Sequence, residues 1–248
     1  GSARLTWDAW ESATQRLRFV GNGGGDYFSQ KNDLLFPPDL QFEADDGQLG
    51  TSLLSNSDNL NVNAGMSGIH TWTPLGYTAT TSFGTALSVR DLNISRVVAR
   101  NLVGGIEIVN AGTNIQVLEQ RQRVEDVSFF VQEEVLLMDE KLLLVAGLNA
   151  DRSSVNSDND KYYYYPKIAG SYRLQQRFGP VEEVKLRLAY GQSGNQPLYG
   201  QKFTPLIATQ NLAGLPGLVV NGTVGAVDLA PERQSEVEGG FDLPLYDR

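Results

Sequence analysis

The 248-residue chain contains no cysteine and a single histidine. Without cysteine there are no disulfides and no thiolate metal sites, although compartment stays open. Basic residues are also few: 20 Lys and Arg against 29 Asp and Glu give a net charge of −9. That balance repels nucleic acid, and no basic stripe overrides it, so nucleic acid is not an expected partner. Long apolar runs are missing as well, and no window approaches the ~18 residues of a transmembrane helix. A membrane barrel survives that test, because its strands need only ~9–11 residues and half of those can be polar. Gly1-Ser2-Ala3-Arg4-Leu5-Thr6-Trp7 has no signal-peptide core.

What is present is alternation. Val184, Leu186, Leu188 and Tyr190 share one face of a strand, with Lys185, Arg187 and Ala189 on the other. Val237, Phe241 and Leu243 likewise oppose Glu236, Glu238 and Asp242. The same period of two predicts eight antiparallel strands, near residues 4–20, 60–72, 77–90, 124–137, 141–151, 162–174, 184–190 and 235–243. Phe130 and Glu133 break the pattern of the fourth. Links 73–76, 138–140 and 175–180 are short, whereas 21–59, 91–123, 152–161 and 192–232 are long. Loops longer than ~12–15 residues are uncommon in compact domains unless functional. Short turns at one end and long loops at the other are the architecture of outer-membrane barrels.

Motifs for chemistry are sparse. His70 has no Gly-x-Ser-x-Gly partner, since Gly191-Gln192-Ser193-Gly194-Asn195 lacks the last glycine, so no enzyme is expected. Gly21-Asn22-Gly23-Gly24-Gly25-Asp26 lacks the Gly-Lys-Ser/Thr of a phosphate loop and reads as a flexible loop. Asp151, Asp158 and Asp160 could offer oxygen ligands, but a calcium loop's sixth-position glycine and twelfth-position glutamate are absent. No metal or cofactor is expected. In Tyr162-Tyr163-Tyr164-Tyr165, alternation sends two rings to an interfacial girdle and two to the opposite side.

Several local sequences resemble TonB-dependent outer-membrane receptors of the SusC/RagA type. They are Tyr190-Gly191-Gln192-Ser193-Gly194-Asn195-Gln196-Pro197 and Leu229 to Asp242 with its Pro-Glu-Arg entry. Phe129-Phe130-Val131-Gln132-Glu133-Glu134, Leu144 to Asp151 and Tyr165-Pro166-Lys167 precede them in order, with Asn149 where the pattern has arginine. The resemblance extends from about Val124 to the C-terminus. It implies part of a 22-stranded barrel, an internal fragment whose plug and terminal strands lie elsewhere. The implied function is energy-coupled uptake of a large nutrient, an oligosaccharide or peptide, across a bacterial outer membrane. TonB, a SusD-like surface lipoprotein, the solute and outer-membrane lipid are the implied partners.

On that reading Lys185, Arg187, Glu236 and Glu238 face the lumen. The loop 192–232 becomes the expected ligand surface, with Asn195, Gln196, Tyr199, Gln201 and Phe203 as candidates. Flat apolar rings beside amide donors and acceptors suit sugars or peptides. The alternative is a secreted, soluble all-β carbohydrate-binding module. A closed eight-stranded barrel with a structural role is also geometrically permitted.

Overall fold

The structure, a computed structural model, describes residues 1–44, 47–104, 106–174, 183–212, 215–220 and 222–244. Among the described residues nine strands form one antiparallel, up-and-down sheet. They are β1 (Ser2–Glu11), β2 (Gln15–Phe36), β3 (Thr51–Trp72), β4 (Tyr77–Leu102), β5 (Gly112–Leu137), β6 (Leu142–Ser153), β7 (Tyr163–Leu174), β8 (Val184–Asn195) and β11 (Glu232–Asp242). Two further strands, β9 (Leu206–Leu212) and β10 (Leu215–Val220), pair as a separate hairpin between β8 and β11.

Two expectations change here. The single irregular strand expected at 4–20 is two strands, parted where Gln15 N donates to Ser12 Oγ at 3.0 Å. Most of the expected loops 21–59 and 91–123 are strand, because β2 to β5 continue far past the apolar segments. Even Gly21 to Asp26 lies inside β2, not in a flexible loop. Ladder hydrogen bonds satisfy the backbone whatever the side chains are, and this outweighs glycine's low strand propensity. Gly25 shows it: its N and O exchange bonds of 2.9 and 2.7 Å with Gly1.

Short links still alternate with longer ones. Residues 12–14, 73–76 and 138–141 are turns, and Thr73 N donates to Thr14 O at 2.7 Å, placing two of them side by side. The expected link 175–180 lies outside the described residues. The other connections run through 37–50, 103–111, 154–162 and 196–231. In the 138–141 turn, Met138, Asp139 and Glu140 all have positive φ, from 52° to 66°.

Contacts divide the chain into two units. The first comprises Gly1, Gly24–Val62 and Val89–Val124. Within it Tyr27 Oη donates to Asp58 at 2.9 Å, Asn114 Nδ2 to Gln48 Oε1 at 2.6 Å, and Leu102 N to Leu49 O at 3.0 Å. The second comprises Ser2–Gly23, Asn63–Ser88 and Glu125–Arg248, and it carries the candidate site.

Register in the second unit separates two faces. Tyr172, Leu186 and Phe241 form one cross-strand row, and Ile168, Tyr190 and Val237 another; between them Gly170, Leu188 and Gly239 align. Leu144, Leu148, Val131 and Phe129 continue this apolar face onto β6 and β5. Trp7, Phe19 and Phe83 extend it, with ring centroids 5.8 and 6.4 Å apart. Leu188 is 64% exposed and Val237 70%, which no water-facing sheet would favour over so wide an area. Among the described residues the only buried hydrophobic side chains are Ala99, Val155, Tyr163 and Tyr165. The sheet therefore has a wall, not a conventional core.

Candidate functional site

The opposite face of that wall is charged. Lys185 and Arg187 alternate with Leu186 and Leu188 along β8, and Glu236 and Glu238 alternate with Val237 on β11. Arg187 Nη2 donates to Asp242 Oδ1 at 2.8 Å. At β1 and β2 the Asp8 carboxylate receives Arg18 Nε at 2.7 Å and Arg16 Nη2 at 3.2 Å. Solvent-exposed pairs of this kind add little stability and mainly fix which face the charges occupy.

Both pattern breakers find their place. Glu133 sits on the apolar face opposite Ala146, and its Oε2 accepts a 2.6 Å bond from Thr81 Oγ1. Phe130 lies on the charged face above Gly84, where a Cβ would come within 2.7 Å of the ring.

At the far end of β6 and β7 the tyrosine run divides. Tyr163 and Tyr165 are buried, while Tyr164 is 53% exposed. Tyr162 packs against Phe129 at 5.8 Å with the Arg152 guanidinium 5.6 Å from its ring. Tyr165 fills the space that a side chain at Gly194 would occupy, lies under the Arg233 guanidinium at 5.8 Å, and has a buried hydroxyl without a described partner.

The described part of the connection 196–231 is tied to its neighbours. Lys202 Nζ donates to Ser154 O at 2.7 Å, Asn156 O at 3.0 Å and Asn159 Oδ1 at 2.7 Å, tying it to the 154–162 loop. Ser157 Oγ donates to Ala226 O at 3.1 Å and accepts from Leu229 N at 2.7 Å. Its neighbour Asn156 is fully buried, its amide atoms unpaired among the described residues. Of the residues expected there, Asn195 instead ends β8, paired with Glu232. The Gln196 side-chain oxygen is buried without a described partner. Gln201 serves the loop itself, accepting Leu198 N at its side chain and Ala226 N at its carbonyl. Tyr199 and Phe203 are 41% and 56% exposed. Lys202 was not among the expected residues, and nothing in the sequence around it marks a lysine that caps carbonyls on a distant loop.

Other chemistry gains no geometry. Asp151 receives Asn149 Nδ2 on both oxygens at 2.7 Å, Asp158 accepts from Asp160 N, and Asp160 pairs with Arg152. Among the described residues no three His, Asp or Glu side chains gather to hold a metal. Among the described residues no helix is long and apolar enough to cross a membrane.

A family model described as TonB dependent receptor-like, beta-barrel, matches residues 2–248. Among curated proteins, TonB-dependent receptor P26 of Formosa agariphila is 32% identical over 126 residues, or 48% of this chain and 12% of that protein. The RagAB peptide importer in its closed-closed state superposes with a TM-score of 0.79 at 13% identity, covering 99% of this chain and 28% of that one. Its open-open state gives 0.73 at 12% identity, over 99% and 27%. The likeness to these structures is one of fold. The chain thus spans 12% of the curated relative and about a quarter of the solved chains.

Proposed function

The chain belongs to the TonB-dependent receptor β-barrel family, and from that premise we propose that it forms part of the wall of an outer-membrane transporter for a large nutrient. One observation carries this reading furthest: a single-layer sheet with one face exposing Leu186, Leu188, Ile168, Val237 and Phe241 and the other carrying its charges. Lipid outside and water inside explain both faces at once. Lys185, Arg187, Glu236 and Glu238 then line the lumen, and the apolar rows contact outer-membrane lipid. The tied loops 154–162 and 196–231 belong to the outer surface, where Asn195, Gln196, Tyr199, Gln201 and Phe203 contribute to solute capture. Energy reaches the barrel through TonB, and a SusD-like surface lipoprotein covers the mouth. A peptide or an oligosaccharide is the cargo. The function is binding and passage, without catalysis.

The test uses the full-length receptor in cells. A Tyr199→Ala/Phe203→Ala double variant keeps the three Lys202 hydrogen bonds and removes only the contact of its ammonium with the Phe203 ring, 5.1 Å away, so barrel assembly is expected to be normal. Solute uptake is expected to fall by about tenfold, the scale of one or two lost ring contacts. Normal assembly with unchanged uptake would remove these residues from the capture surface. Uptake that persists without TonB would end the energy-coupled reading.

A further inference from the structure

Among the described residues few side chains are buried, yet Ser153, Val155, Asn156, Tyr163 and Tyr165 all are, in or beside the 154–162 loop. Connecting loops ordinarily lie exposed, so burial here marks a packed body. Its base is fixed to β5: Ser154 N donates to Glu125 O at 2.9 Å, and Glu125 N donates to Ser154 Oγ at 2.9 Å.

Two stretches of the connection 196–231 are held against this body. On 198–204 the Lys202 ammonium gives one bond each to Ser154 O, Asn156 O and Asn159 Oδ1, which uses all three of its donors. On 225–229 the partner is Ser157, whose N donates to Leu229 O at 2.9 Å. Its Oγ accepts from Leu229 N at 2.7 Å and donates to Ala226 O at 3.1 Å. The two stretches also hold each other, since Ala226 N donates to Gln201 O and Gly225 N to Thr204 Oγ1, both at 3.0 Å. At Gly225 the approach admits no side chain: a Cβ would lie 2.5 Å from the Phe203 carbonyl carbon and 2.6 Å from Lys202 O. Three segments distant in sequence therefore close a triangle of bonds, and each bond has both its partners in this chain.

We propose that 154–159, 198–204 and 225–229 form one cooperative node, and that Lys202 is the positioning residue that holds the Tyr199 and Phe203 rings ready for solute. The role of Lys202 rests on the reading that those rings take part in capture. The turn that bears them is closed by Phe203 N donating to Gly200 O at 2.9 Å, with Gly200 at φ +89°. Lys202 fastens this turn between the two rings, its ammonium 5.1 Å from that of Phe203. Two of its three acceptors are backbone carbonyls, so the tie depends on the shape of the 154–162 loop and not on a charge there. A ring carried on a fastened turn gives up less freedom when solute arrives, and the difference appears as affinity.

Amide hydrogen exchange of the full-length receptor in detergent reads the node directly. Lys202→Met keeps the length of the stem and removes the donors, whereas Ser157→Ala cuts the tie to the other stretch. Each is expected to speed exchange about tenfold at Ser157, Phe203, Ala226 and Leu229 alike, and the double variant to add little to either. Exchange that rises only beside the altered residue, or not at all, overturns the node. Each variant is first checked for folding by the heat-dependent mobility of the barrel on a gel; should Lys202→Met fail, Ser157→Ala alone carries the comparison. Uptake into cells is then measured with a fluorescent tryptic digest of casein and a fluorescent starch hydrolysate. For the probe that wild type takes up, Lys202→Met is expected to raise the half-saturating concentration about tenfold, with maximal rate and surface level of receptor unchanged. A fall in maximal rate alone, or unaltered uptake from an opened node, overturns the positioning role. Wild-type uptake of neither probe removes the cargo reading and the positioning role with it, while the node is judged by exchange.

Discussion

Glu133 shows how one residue can obey a fold while breaking its pattern. It stands on the apolar face, and Thr81 Oγ1 is its only partner among the described residues. On a membrane-facing wall that hydroxyl replaces the water a carboxylate would otherwise have. Thr81→Val keeps the shape and removes the donor, so it is expected to destabilise the full-length barrel by ~1–3 kcal/mol, the cost of an unpaired buried polar group. Glu133→Gln, which keeps an acceptor for Thr81, is expected to cost less. Unfolding of both variants in a denaturant series checks this; a silent Thr81→Val would mean that the carboxylate is solvated.

Among the elements, the β5–β6 turn and the β8 strand make separate claims. Met138, Asp139 and Glu140 hold three consecutive left-handed conformations, each favoured by glycine and costly for other residues. Glu140→Gly relieves one of them and is expected to raise stability by ~0.5–1 kcal/mol, read as a shift of the same denaturation midpoint. A lowered midpoint would show that the side chain, not the backbone, governs this turn. Along β8 the register makes neighbours unequal. Leu188→Arg places a cation on the apolar face and is expected to cost up to ~2–4 kcal/mol at mid-membrane depth. Arg187→Leu adds only an apolar group to the charged face and releases Asp242. If the two substitutions cost the same, the two faces are not in different solvents.

For the molecule as a whole, the balance of surface decides behaviour outside a membrane. Trp7, Phe83, Leu144, Ile168, Leu188 and Phe241 lie open on one face, and among the described residues β1 and β11 end the sheet with unpaired edges. Expressed alone, residues 1–248 are expected to need detergent and to aggregate without it, since both the apolar patch and the open edges invite association. Size-exclusion chromatography with light scattering checks this. A monodisperse, detergent-free monomer with a cooperative melt would favour the soluble carbohydrate-binding module instead.

The all-β class, the two-faced strands from β5 onward and the family resemblance were legible in the residues, because a period of two is local and survives without neighbours. Strand ends were less so. The polar, glycine-rich stretch 21–36 carries no apolar alternation, and only pairing in the sheet shows that β2 runs on to Phe36. Alternation sets Lys185 opposite in sense to Leu186, yet it could not say that Arg173 faces Lys185. That juxtaposition is a matter of register, which depends on how two strands meet across a turn. The Lys202 clamp belongs to the same category: its three acceptors lie more than forty residues away in the chain. Where a strand alternates, sequence alone determined which of its sides is apolar, since that follows from chemistry and a fixed geometry. Tertiary structure decided which charges become neighbours, because long-range pairing sets those distances and no single strand contains them.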